Sequence, residues 1–104
     1  MRDKMGYIYI MANKPNGVLY IGVTSNLENR IYQHKNNSIP GFTSKYRLHH
    51  VVHYEIFEDV RDAIAREKQL KNWKRQWKVS LIEEENPKWK DLYNEITDPE
   101  SSSG

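Results

Sequence analysis

Residues 6–23, GYIYIMANKPNGVLYIGV, decide the fold. Two short runs rich in Tyr, Ile and Val, residues 6–11 and 18–23, flank ANKPNG with its Pro15 and its Asn16-Gly17 pair. β-Branched and aromatic residues on both sides of such a turn signal predict a β-hairpin. Side chains alternate along a strand, so Tyr7, Tyr9 and Met11 share one face and Ile8 and Ile10 the other. In the second strand Leu19, Ile21 and Val23 share a face, with Tyr20 and Gly22 opposite. With the aliphatic faces together on the core side, Tyr9 and Tyr20 lie on the opposite face, where cross-strand neighbours stand about 5 Å apart.

Outward from the hairpin, Ser25 with Glu28 forms a capping box that opens a first helix. Leu27 and Ile31 supply its buried stripe, and Arg30 and His34, one turn apart, project from the same side. NNSIPGFTSKYR (36–47) reads as a loop by its Asn, Ser, Pro and Gly content, and VVHYEIF (51–57) as a third strand. Asp59 caps a second helix of about residues 59–72. There Ile64, Glu67 and Leu70 step by three, which sets Glu67 against the apolar stripe beside Ala63. A carboxylate in that position needs a partner. A third helix of about 73–85 carries Trp73, Trp77 and Leu81 four apart, and the two tryptophans read as core rather than as a base-stacking platform. Asn86-Pro87 ends it. NPKWKDLY (86–93) folds back with Trp89 and Leu92, and TDPESSSG reads as a disordered end. The expected architecture is one α/β (α+β) domain over residues 5–85, a small, mostly antiparallel three-stranded sheet flanked by about three helices. Residues 86–104 follow as an extension with an acidic, disordered end.

Composition narrows the function. The 104 residues are 38% hydrophobic, enough for one modest core. Cysteine is absent, which excludes disulfides, iron–sulfur clusters, thiolate zinc sites and cysteine nucleophiles. No run approaches the roughly 18 apolar residues of a membrane helix. MRDKMGYIYIM does not read as a signal peptide, so a cytoplasmic protein with no membrane partner is expected. The net charge of +2 hides an asymmetry: residues 61–80 hold seven Lys/Arg against two Asp/Glu, and residues 81–104 two against seven. A basic body points to a polyanion, of which nucleic acid is the commonest, or to a helix whose lysines simply face water. His49, His50 and His53 do not make a zinc site, because period two puts His50 and His53 on opposite strand faces.

Tyr7-Ile8-Tyr9 followed, eleven positions after Tyr9, by Tyr20-Ile21-Gly22 resembles the signature of the GIY-YIG nuclease superfamily, with Tyr7 in place of the first glycine. Arg30 and His34 stand where the family has its arginine and its His or Tyr, and Glu67 stands where it has a metal-binding glutamate. GFTSKY, AREKQLKNWKR and LIEEENPKWKDL are similar to the small stand-alone bacterial members. The resemblance spans roughly residues 5–85. It implies the GIY-YIG endonuclease fold and a metal-dependent endonuclease, a hydrolase of DNA phosphodiester bonds. Mg²⁺ or Mn²⁺ is the implied cofactor, and duplex, branched or single-stranded DNA the implied partner.

The roles implied by that resemblance make chemical sense. Phosphodiester hydrolysis needs an activated water and charge neutralisation on the phosphoryl group. Glu67 would hold a cation that keeps most of its waters. Arg30 would fork onto phosphate oxygens in a way lysine cannot match. Tyr9 or Tyr20, with a pKa lowered by a nearby cation and histidine, would be the general base, and His34 would take that proton or hold the water. Which tyrosine acts is open. Gly22 would let backbone and substrate approach closely. The family's late asparagine is assigned to Asn86, in a catalytic or a structural role. Thr24 stands where many members have a lysine, and Lys35 or Lys45 is the compensating cation. Phe42, Lys45, Tyr46 and Arg47 interleave aromatics and cations on a loop, and with Gly22, Arg30 and Lys35 they are the candidate nucleic-acid contacts. Arg30 and Glu67 paired only with each other would be the structural alternative. A lone module buries about 600–1,000 Å² on DNA, so structure-selective or weakly sequence-specific action by a monomer is expected, in repair or recombination. Two other functions stay open: a nucleic-acid-binding module with attenuated hydrolysis, and a small interaction domain.

Overall fold

The computed structural model describes residues 4–97. The chain runs β1 Gly6–Ala12, β2 Leu19–Thr24, α1 Leu27–Lys35, α2 Phe42–Lys45, β3 His50–Phe57, α3 Val60–Lys71, α4 Arg75–Glu85 and α5 Tyr93–Thr97. The sheet order is β2-β1-β3, with both pairings antiparallel. The three-stranded sheet and the hairpin stand as the sequence predicts. At the hairpin tip Gly17 N–H donates to the Lys14 carbonyl at 2.9 Å. Pro15 takes the first central position of that turn, and Asn16 the second at φ 59°. Asparagine is among the few side chains that accept this left-handed conformation.

The middle strand is buried on both faces, which divides the core in two. Ile8, Ile10 and Ala12 pack with Ile21 and Val52 against Ala63 and Leu70 of α3, Ile82 of α4 and Trp89. Tyr9 and Met11 pack on the other face with Leu48, Val51 and the α1 residues Leu27 and Ile31. Fully burying a side chain such as Ile8 or Ile10 stabilises the fold by about 1.5–3 kcal/mol. The expected division of aliphatic and tyrosine faces therefore holds, but both faces are core. Residues 86–97 contribute to each: Trp89 joins the aliphatic cluster, and Leu92, Tyr93 and Ile96 lie against the tyrosine one. Leu92 N–H donates to the Val51 carbonyl at 2.8 Å, which covers part of the β3 edge.

Several local expectations are corrected. The cap of α1 is Asn26, not Ser25. Thr24 Oγ1 accepts the Asn26 N–H at 3.0 Å, and Asn26 Oδ1 then accepts the Asn29 N–H at 3.2 Å, so the helix starts one residue later and the Ser25–Glu28 box is not used. The loop 36–47 contains the single turn α2, and a fifth short helix, α5, follows Leu92. The third long helix starts at Arg75 rather than 73. Ile64 and Trp77 are exposed, so the buried positions of α3 are Ala63 and Leu70, and only Trp73 of the two tryptophans packs on the core. The acidic end expected to be disordered, residues 98–104, lies outside the described residues. Among the described residues no helix is long and apolar enough to cross a membrane.

Candidate active site

Strand register builds the site. Tyr9 and Gly22 are direct cross-strand partners. A Cβ on Gly22 would lie 2.4 Å from both Cζ and the hydroxyl of Tyr9, so the Tyr9 ring crosses the space that the glycine leaves. The close approach expected at Gly22 is thus made by Tyr9. Tyr9 has no exposed surface, whereas Tyr20 is partly exposed with its ring centroid 6.3 Å away.

Helix α1 brings His34 between them, with ring centroids 5.4 Å from Tyr9 and 5.7 Å from Tyr20. The Tyr9 hydroxyl and His34 Nε2 are 2.9 Å apart, and His34 Nδ1 lies 3.1 Å from Thr43 Oγ1 on α2. Outward from Tyr20, Phe42 stacks at 6.2 Å and Tyr46 follows Phe42 at 4.8 Å. Phe42 and Tyr46 are 46% and 41% exposed, and Lys45 Nζ lies 5.4 Å from the Tyr46 ring centre. A ladder of rings therefore runs from the buried Tyr9 to solvent.

Arg30, one turn before His34, faces the Tyr9 hydroxyl, and the Glu67 carboxylate from α3 is near enough to act on it. The ring centroids of Tyr9, Tyr20 and His34 thus lie within 6.3 Å of one another, and Arg30 and Glu67 both act on the Tyr9 hydroxyl. Their electrostatics differ from the expectation in one respect. Burial pushes the Tyr9 phenol up to about 12; the hydrogen bond and charge of Arg30 oppose the rise, while Tyr20 and Glu67 add to it. The lowered tyrosine pKa is therefore corrected for Tyr9: desolvation outweighs the guanidinium. His34 is held down at about 4, first by burial and then by the Arg30 charge, so it is neutral near pH 7 and has a lone pair to offer.

That depression has a measurable consequence. Between 6.5, the ordinary imidazole value, and the folded value of about 4, the unfolded chain binds a proton that the folded chain refuses. This group's contribution to stability is complete above the upper value and is lost as pH falls toward the lower. An NMR titration of the His34 ring should give a midpoint near 4, and urea midpoints should fall across the same window. A ring midpoint near 6.5 would contradict the burial of His34.

Glu67 does not pair with Arg30. Its Oε2 lies 2.6 Å from Lys71 Nζ, with the Glu67 side chain 13% exposed and that of Lys71 51%. Arg30 has no carboxylate partner among the described residues. The chemistry of Glu67 fits a divalent cation: the carboxylate already holds a cationic group, and that group is a half-exposed lysine free to swing away. A helical Glu–Lys pair of this spacing is worth only about 0.2–0.5 kcal/mol. Among the described residues no three His, Cys, Asp or Glu side chains cluster, so Glu67 would hold a metal as one ligand among waters, in the manner of magnesium.

Other expected residues lie elsewhere. Lys35 Nζ donates to the His49 carbonyl at 2.8 Å and pairs with Asp91, which makes it a clasp to the C-terminal segment rather than a free cation. Asn86 is buried; its Nδ2 donates to the Val52 and Lys90 carbonyls at 3.0 and 2.9 Å, and its Oδ1 accepts the Lys90 N–H at 2.9 Å. Its amide is committed to the turn after α4, the structural one of its two expected roles. Lys45 and Arg47 are exposed on the loop. The histidines do not converge: His49 meets Asn37 Oδ1 and His53 meets Glu55, each at 2.9 Å. Arg75 is spent on the Asn16 and Gly17 carbonyls, at 2.8 and 2.7 Å. Thr43 was not singled out by its sequence, since a threonine in a polar loop carries no periodic or compositional signal.

The arrangement holds a buried phenol hydrogen-bonded to a neutral imidazole, a guanidinium with no carboxylate partner among the described residues, and a carboxylate paired with a lysine, on β1, α1 and α3. The GIY-YIG catalytic domain family matches residues 5–80 of this chain. The chain belongs to the GIY-YIG family. Its relatives include a UPF0213 protein of Staphylococcus saprophyticus, 37% identical over 78 residues that cover 75% of this chain and 94% of the relative. A UPF0213 protein of Clostridium perfringens is 36% identical over 92 residues, covering 88% of this chain and 98% of the relative. No solved structure gives a significant match. GIY-YIG proteins form a nuclease superfamily whose members generally use divalent metal ions. In this GIY-YIG chain the two signature tyrosines are unequal, Tyr9 sealed in the core and Tyr20 partly exposed.

Proposed function

We propose that this GIY-YIG chain is a metal-dependent endonuclease that hydrolyses DNA phosphodiester bonds. The observation that carries this is the hydrogen bond between Tyr9 and a neutral His34, beside Arg30, which has no carboxylate partner among the described residues, and within electrostatic reach of Glu67. Glu67 would hold a Mg²⁺ or Mn²⁺ ion, which would supply Lewis acidity toward the phosphate. Arg30 donates to the non-bridging phosphate oxygens. Tyr20, whose hydroxyl has no protein hydrogen-bond partner among the described residues, is on the solvent side and meets the attacking water. Tyr9 and His34 stand behind it as a proton donor and acceptor pair. In the free protein the proton rests on Tyr9, and neutralising the Glu67 charge removes one of the forces that hold it there.

Phe42, Lys45, Tyr46 and Arg47 offer stacking and phosphate contact rather than base-edge readout, which supports weak sequence specificity and structure-selective cutting. Branched or unpaired DNA in repair or recombination is the setting that such an activity suits. Lys71 on Glu67 favours a second reading, a DNA-binding module with attenuated hydrolysis.

The test is cleavage of supercoiled, single-stranded and branched DNA at low salt with Mg²⁺, with Mn²⁺ or with chelator. Products that form only with metal are the expected result. DNA that is bound but uncut under every metal condition would replace the nuclease with the attenuated module.

A further inference from the structure

Thr43 is the one buried residue between 36 and 47, a stretch otherwise exposed or half-exposed. Its backbone carbonyl accepts the N–H of the core residue Leu48 at 3.0 Å, and its hydroxyl is 3.1 Å from His34 Nδ1. It sits between Phe42 and Ser44 in the same short helix, which ends at Lys45. One hydroxyl therefore joins the exposed aromatic loop to the buried Tyr9–His34 pair.

Proton accounting fixes the direction of these hydrogen bonds. Arg30 can only donate, and it faces the Tyr9 oxygen. The phenol keeps its own proton near neutral pH, and a fully buried hydroxyl proton needs an acceptor. His34 Nε2 is the acceptor in reach, at 2.9 Å. A neutral imidazole with a bare Nε2 carries its proton on Nδ1, and that proton points at Thr43 Oγ1. The reverse tautomer would aim two donors at the Tyr9 oxygen and leave the Tyr9 proton with no acceptor among the described residues. The phenol is also the more acidic of the two hydroxyls, and so the better donor to an imidazole nitrogen.

We propose that Thr43 is a positioning residue: it accepts the Nδ1–H of His34, fixes the tautomer that leaves Nε2 free for the Tyr9 proton, and makes that acceptor dependent on how the 36–47 loop is seated. This rests on the roles proposed above for Tyr9 and His34. Loop and proton acceptor are then one unit, and a substrate that seats Phe42 and Tyr46 also holds the imidazole in its working orientation.

The experiment is a long-range ¹H–¹⁵N spectrum of the histidine rings near pH 7.5, recorded for the wild-type chain, Thr43→Val and Thr43→Ser, with DNA cleavage measured on the same samples. His34 in the wild type should show a protonated Nδ1 and a bare Nε2. Thr43→Val should lose that single-tautomer pattern and cleave about tenfold more slowly, while Thr43→Ser, which keeps the hydroxyl and loses the methyl, should stay within about twofold of wild type in both readouts. A protonated Nε2 in the wild type overturns the proposal. So does a Thr43→Val protein with an unchanged spectrum and unchanged turnover. Should Thr43→Val fail to fold, the wild-type spectrum and Thr43→Ser decide. Should the wild type cut no DNA, the hydrolytic function falls while the spectra still judge the tautomer.

Discussion

Glu67→Ala is expected to lower metal-dependent DNA cleavage by about a thousandfold or more, the scale of several kcal/mol of transition-state stabilisation contributed by a bound cation. The fold should barely notice. The substitution removes one pair with Lys71 a helical turn away, worth a few tenths of a kcal/mol, and places a better helix former within α3. Affinity for DNA at low salt should be retained or rise, because Lys71 loses its internal partner and its charge becomes available to phosphate. Cleavage, DNA binding and a thermal melt on paired samples separate these effects. A Glu67→Ala protein that cuts like the wild type would remove Glu67 from the chemistry.

Gly22→Ala should damage stability and activity together. The added carbon would sit 2.4 Å from Cζ and the hydroxyl of Tyr9, far inside van der Waals contact. The ring has no easy escape, since Tyr9 has no exposed surface and its hydroxyl is tethered to His34. Overpacking of this kind costs about 1–3 kcal/mol, which lowers the melting temperature of a domain this size by at least about 5 °C. Displacing the phenol by an ångström should cost on the order of a hundredfold in cleavage. A thermally normal, fully active Gly22→Ala protein would show that the Tyr9 ring does not need the space over this glycine.

Much of this was legible because strand alternation has a period of two. That rule assigned Tyr9 and Tyr20 to one face and Ile8, Ile10 and Ile21 to the other, and the structure agrees. Spacing on α1 put Arg30 and His34 on one side of that helix, and the resemblance to the GIY-YIG family set them, with Glu67, beside the tyrosines. The misses have physical causes. α2 and α5 are one turn each, too short for any hydrophobic period to register. Trp73 and Trp77 sit one turn apart, a spacing that looks like a core stripe, yet the chain turns between α3 and α4 and leaves Trp77 in solvent. The Tyr9 pKa departs from the expectation because the resemblance implies a cation beside the phenol, whereas the burial that outweighs it is a property of the assembled core. Lys35 looked like a free cation because Asp91, its partner, lies far along the chain.

The double burial of β1 bears on how related sequences should be compared. Tyr9 is a keystone of one of the two cores, so purifying selection for folding alone would keep it, whether or not cleavage is selected. Its presence in a relative is weak testimony to chemistry. Arg30 and Glu67 are different, since neither belongs to a core cluster and little of the fold would be lost with them. A lineage drifting away from nuclease activity would shed those two first and keep Tyr9 long after.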